Sequence, residues 1–132
     1  MGSKKRRKDY SGIYTILGPD TSFKGILDTQ ESMRIEGNFD GTINSQGDIY
    51  IGEGSVVSAN VYGKRVIVSG ELKGTVEAIN GLEITGTGRV YGDVTGDRLI
   101  VDEGAVYKGN VNMDIITSKK KYEEEKLGRS GR

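Results

Sequence analysis

The residues able to do chemistry in this sequence are carboxylates and one dense cluster of cations, because it contains neither histidine nor cysteine. A histidine base, a Cys- or His-ligated zinc site and a disulfide framework are therefore excluded. Hexapeptide-type acyltransferases and the related carbonic anhydrases need histidine, so both fall with it. Asp40, Asp93, Asp97, Asp102 and Glu103 are the acids a carbohydrate-cleaving centre would draw on. They alternate with apolar residues or sit in glycine-rich corners, where they read as charges that keep strand edges and faces from sticking. No Gly-x4-Gly-Lys-Ser/Thr pattern is present, so no phosphate cradle of that kind is formed. The residues call for no cofactor, no metal and no catalytic site.

The cations lie outside any such pattern. Residues 1–12 hold Lys4, Lys5, Arg6, Arg7 and Lys8 against Asp9, a net +4, and residues 118–132 hold six basic residues against three acids, a net +3. Residues 13–117 keep eight basic and fifteen acidic residues, a net −7, so the overall charge of zero conceals an acidic body between two basic tails. Five cations can hold a chain to an anionic lipid surface at about 1 kcal/mol each. Nucleic acid is the rival anion, but an acidic body offers no basic face to follow a duplex. Both tails read as disordered. No run of 18 apolar residues and no secretory h-region is present, so the expected location is cytoplasmic, peripheral to the inner face of the cell membrane.

The body is built on a repeat. The unit apolar-x-small-x-apolar recurs at Phe23/Gly25/Leu27, Phe39/Gly41/Ile43, Val57/Ala59/Val61, Leu72/Gly74/Val76, Val90/Gly92/Val94 and Tyr107/Gly109/Val111, at separations of 16, 18, 15, 18 and 17. A second apolar pair lies between units: Met33/Ile35, Ile49/Ile51, Val66/Val68, Leu82/Ile84 and Leu99/Val101. Period-two alternation places each set on one face of a strand. A sandwich gives no reason for every second strand to match in register, whereas stacked rungs must place like side chains over like ones. Most of the length variation falls in one corner, where Ile35 to Phe39 and Val68 to Leu72 lack two residues that the other connectors have. The fold expected is all-β: a single right-handed parallel β-helix of about six rungs over 13–117, with tails at 1–12 and 118–132. The right hand is expected because the steps mix lengths that a left-handed hexapeptide coil does not. The small central residue is expected where three inward side chains cannot all be large.

Three stretches carry a family resemblance: Thr15-Ile16-Leu17-Gly18-Pro19-Asp20-Thr21, Ile35-Glu36-Gly37-Asn38-Phe39-Asp40-Gly41, and Gly104-Ala105-Val106-Tyr107-Lys108-Gly109-Asn110-Val111-Asn112-Met113. With the rung count and two tails, they make residues 13–114 resemble the bactofilins, bacterial cytoskeletal proteins. The resemblance implies end-to-end polymerisation into non-polar filaments without nucleotide. It also implies membrane association through the N-terminal tail, and roles in cell shape and in placing cell-wall synthesis or hydrolysis proteins. The family's last rung usually carries phenylalanine where this chain has Tyr107, whose hydroxyl needs a partner when buried.

Assembly is also expected on physical grounds. Uncapped solenoid ends offer unpaired backbone groups to a second copy, and no amphipathic helix flanks this body. The expected polymer contacts are Ile13, Ile16, Leu17 and Phe23 at the N-terminal end, and Tyr107, Val111, Met113 and Ile115 at the C-terminal end. Tyr107→Arg is expected to leave the fold intact and yield monomers or dimers. The alternative is a monomeric or dimeric β-helical adaptor.

Overall fold

A computed structural model of the chain describes residues 13–117, which form thirteen strands and no helix. The first four rungs each pair a short strand with a long one. These are β1 (Ile13–Leu17) with β2 (Ser22–Thr29), β3 (Ser32–Ile35) with β4 (Asn38–Ser45), β5 (Asp48–Ile51) with β6 (Val56–Gly63), and β7 (Arg65–Val68) with β8 (Glu71–Ala78). The fifth rung comprises β9 (Leu82–Ile84), β10 (Arg89–Tyr91) and the start of β11 (Val94–Val101). The rest of β11, β12 (Val106–Lys108) and the start of β13 (Val111–Thr117) make the sixth. The remainder of β13 lies over Arg98–Val101 and begins a seventh turn.

All strand pairs are parallel, and the register is the one the repeat requires. Phe23, Phe39, Val57, Leu72, Val90 and Tyr107 form one column, and Met33, Ile49, Val66, Leu82 and Leu99 form another. The expected all-β parallel solenoid of about six turns is thus the fold observed. Its core is the line of inward side chains from Met33 to Val111, with Leu17, Phe23 and Leu27 packed on it less completely. Aliphatic side chains stacked in this way remove nearly all of their apolar surface from water, at about 25 cal/mol per Å².

A four-residue strand cannot close a coil against an eight-residue one unless the long strand bends. The bend falls on the central glycine: Gly25, Gly41, Gly74, Gly92 and Gly109 have φ between +139° and +151°. A Cβ on Gly41 would collide with the carbonyl oxygen of Gly25, one rung below. The expectation that glycine is chosen for lumen width is therefore corrected. Ala59 occupies the same column at negative φ, with its methyl buried, so the lumen accepts a methyl group and the left-handed backbone is what excludes one. Each rung consequently presents three outer faces: the short strands (first face), the long strands before the bend (second) and the long strands after it (third).

The corner between the first and second faces is closed by short backbone bonds such as Thr21 N–H to Gly18 O at 3.1 Å and Ser55 N–H to Gly52 O at 3.0 Å. Ser55 is buried there and donates its hydroxyl to Gly37 O at 2.6 Å, one rung below. Among the described residues no buried side-chain polar atom lacks a hydrogen-bond partner.

Candidate assembly surfaces

The two ends of the stack differ. At the first rung, β1 bonds only to β3 and β2 only to β4, so each has one open edge among the described residues. Leu17, Phe23 and Leu27 are half-buried, whereas their counterparts one rung up, Ile35, Phe39 and Ile43, are buried. The Phe23 ring stacks on Phe39 with centroids 5.0 Å apart and planes 9° from parallel, leaving its other side without a rung beneath it. Ile16 and Ile26 point outward from this rung, 61% and 70% exposed. Of the four residues expected at this end, Ile16, Leu17 and Phe23 thus share the first rung. Ile13 begins β1, and its side chain lies outside the described residues.

Sequence reasoning missed Leu27 and Ile26 as end residues. A signal for Ile26 was available: its column continues as Thr42, Asn60 and Thr75, so an isoleucine at the first rung breaks a polar series.

At the last rung, Tyr107 and Val111 are enclosed, at 0% and 2% exposure. The Tyr107 hydroxyl lies 2.7 Å from Gly92 O and 2.8 Å from Asn110 O, so its single proton is donated to one or the other. Burial, followed by the charge of Asp93, pushes the phenol well above its ordinary pKa. An arginine here would have to place its charge in the filled lumen where the Tyr107 ring is fully enclosed, so the expectation that Tyr107→Arg leaves the fold intact is corrected. Met113 and Ile115 lie in β13, with their side chains outside the described residues, as do Lys4, Lys5, Arg6, Arg7 and Lys8 altogether.

The outer faces carry ordinary surface electrostatics. Arg34 pairs with Glu36 at 3.1 Å and lies over the Tyr50 ring at 5.7 Å. Arg65 pairs with Asp48 at 3.3 Å, and Arg89 with Glu71 at 3.3 Å. Exposed pairs of this kind contribute about 0–1 kcal/mol each. Glu83 is pushed above the usual carboxylate range, by partial burial and then by the neighbouring Asp102, while Arg65 opposes the shift. Among the described residues no group of three acids is placed to hold a metal ion, and no helix is long and apolar enough to cross a membrane.

These features define a class: a short parallel β-solenoid with a filled core and a first rung left uncovered among the described residues. Residues 15–112 match the family model described as bactofilin, polymer-forming cytoskeletal. Two relatives come from Myxococcus xanthus (strain DK1622). Bactofilin BacP is 33% identical over 102 residues, covering 77% of this chain and 42% of BacP. Bactofilin BacO is 30% identical over 101 residues, covering 76% of this chain and 80% of BacO. No solved structure matches. The chain belongs to the bactofilin family of polymer-forming cytoskeletal proteins.

Proposed function

We propose that this chain assembles end to end, without nucleotide, into non-polar filaments that lie at an anionic membrane and organise cell shape or cell-wall synthesis and hydrolysis proteins. The observation that supports the reading best is the first rung, where among the described residues Leu17, Phe23 and Leu27 are only half-buried beside two open strand edges. A rung stacked on that surface completes both the hydrogen bonding and the burial. The stacking is most economical when like end meets like end, an isologous contact about a two-fold axis. A chain of alternating like-end contacts has no polarity. Rungs about 4.8 Å apart make a six-rung body only about 3 nm long, so length requires assembly. The basic segment Lys4–Lys8 then binds weakly per subunit and firmly per filament, because many tails act together.

The test is electron microscopy and light scattering of the purified chain beside Phe23→Arg. Phe23 belongs to the terminal rung, so the change leaves the column from Phe39 to Tyr107 in place, which circular dichroism checks. Filaments from the wild type and small species from folded Phe23→Arg are expected. Wild-type protein that stays a single small species would favour a β-helical adaptor instead. Vesicle pelleting with and without residues 2–9 tests the membrane contact.

A further inference from the structure

The net charge of the body is unevenly divided among its faces. The second face carries Lys24, Lys73, Arg89 and Lys108 against Asp40 and Glu71. Outward positions of the third face hold Ile26 at the first rung, then amides, hydroxyls, one aromatic and three carboxylates, Asp28, Glu77 and Asp93, with no lysine or arginine; Lys64 and Arg98 stand beyond its edge. Asp28 accepts a 2.8 Å bond from Asn44 Nδ2. Neither Glu77 nor Asp93 has a cationic partner among the described residues. Tyr62 is 40% exposed in the middle of this face, between a shallow groove edged by Asp28 and Asn44 and another edged by Glu77 and Asp93. A long cationic side chain lying there meets carboxylates and an aromatic ring together, and both attract it.

The same charge selects the occupant. An anionic lipid surface and a nucleic acid are repelled by this face, and so is the same face of a second copy. A basic peptide is attracted, and the chain supplies one in the right place. Each rung passes from first face to second to third, and Ile13, the first described residue, pairs with Ser32, next to the corner that ends the third face. Lys8 and Lys4 precede Ile13 by five and nine residues. At about 3.3 Å per residue these can reach about 17 and 30 Å, whereas Glu77 and Asp93 stand about 14 and 19 Å above the first rung at about 4.8 Å per rung.

We propose that Lys4–Lys8 docks along the third face of its own subunit, over Asp28, Tyr62, Glu77 and Asp93, and that anionic lipid must compete with this site for the tail. The second half rests on the membrane reading above; the docking itself does not.

The absence of native cysteine makes disulfide trapping a direct test on the full chain. Ser3→Cys is combined either with Thr95→Cys on the third face or with Ser58→Cys on the second, both exposed sites within reach. The expected result is an intramolecular disulfide with Thr95→Cys at a yield at least about threefold that with Ser58→Cys, reflecting the higher local concentration. The preference should vanish near 1 M salt, where the screening length falls to about 3 Å. Replacing Asp28, Glu77 and Asp93 with Asn, Gln and Asn should also abolish it, while the same charge change at Asp20, Glu53 and Asp102 should not. Equal trapping on both faces, or disulfide dimers alone, would overturn the docking. Anionic vesicles should lower the Thr95→Cys yield. If they pellet the protein through residues 2–9 yet leave that yield unchanged, the competition is wrong. If they fail to pellet it at all, the membrane reading has failed and the docking stands on the salt and charge results.

Discussion

The Tyr107 hydroxyl has one proton and two carbonyl oxygens within 2.8 Å, and it fills the last place in a column otherwise made of Phe, Val and Leu. Removing it in Tyr107→Phe keeps the ring and takes away one donated hydrogen bond, while Asn110 O still accepts from Val94 N–H at 3.0 Å; the cost is about 0.5–1.5 kcal/mol, and the first rung is left untouched. A melting temperature lower by about 4–8 °C per kcal/mol is expected. Tyr107→Arg places an unpaired charge in the same site and should abolish the cooperative transition, so it does not report on assembly. The phenol also sets a pH dependence. Its folded pKa is raised above the ordinary 10.0, so above pH 10 the unfolded chain binds fewer protons than the folded one, and stability falls as pH rises. Below pH 10 that contribution is fully present. Thermal melts from pH 8 to 11 should show an alkaline loss in the wild type that is smaller in Tyr107→Phe. An identical alkaline loss in both would mean that Tyr107 is not the group responsible.

Among the strands, the column of small residues separates two demands that look alike in sequence. Gly41 has φ +139° and a backbone oxygen in the place of its absent Cβ, whereas Ala59 sits at negative φ. Gly41→Ala should therefore cost about 1–3 kcal/mol as stored strain, and Ala59→Gly only about 0.5–1 kcal/mol through added chain entropy. Denaturant titration of both variants checks the order; a reversal would restore lumen width as the constraint. The strand register was legible because period-two alternation and a 15–18-residue period together fix which side chains stack. The bend was not legible, since an inward glycine and a left-handed glycine leave the same letter in the sequence. The corner was legible in outline: Ile35 to Phe39 and Val68 to Leu72 are short, and the structure keeps only Glu36-Gly37 and Ser69-Gly70 between strands there. The inequality of the two ends was hidden for a different reason. Alternation marks Phe23 and Tyr107 equally as inward, and carries no mark of the difference by which one is half-buried and the other enclosed.

At the scale of the whole molecule, an apolar terminal rung works against the charge that surrounds it. Asp20, Lys24, Asp28 and Glu31 give the first-rung segment, residues 13–31, a net −2, and two such ends must approach within a strand spacing of about 4.8 Å for their edges to pair. The rest of the −7 body adds a longer-ranged repulsion. Salt weakens both, because the screening length falls from about 8 Å at physiological ionic strength to about 3 Å at 1 M, while sulfate and phosphate salts strengthen apolar burial. Assembly should therefore grow with salt, the opposite of what ion-pair-driven contacts do. Residues 2–9 sharpen the test, because they carry five basic residues and one acid, a net +4, and precede that same end in sequence. Deleting them leaves the body uncompensated, so the salt needed for half-maximal sedimentation should rise. Deleting residues 118–132, which carry +3 beyond the opposite end of the stack, should shift it less. Sedimentation that weakens with added salt would rule out an apolar end contact. A shift that is the same for both deletions would mean that the tails act through net charge alone and not through which end of the body each adjoins in sequence.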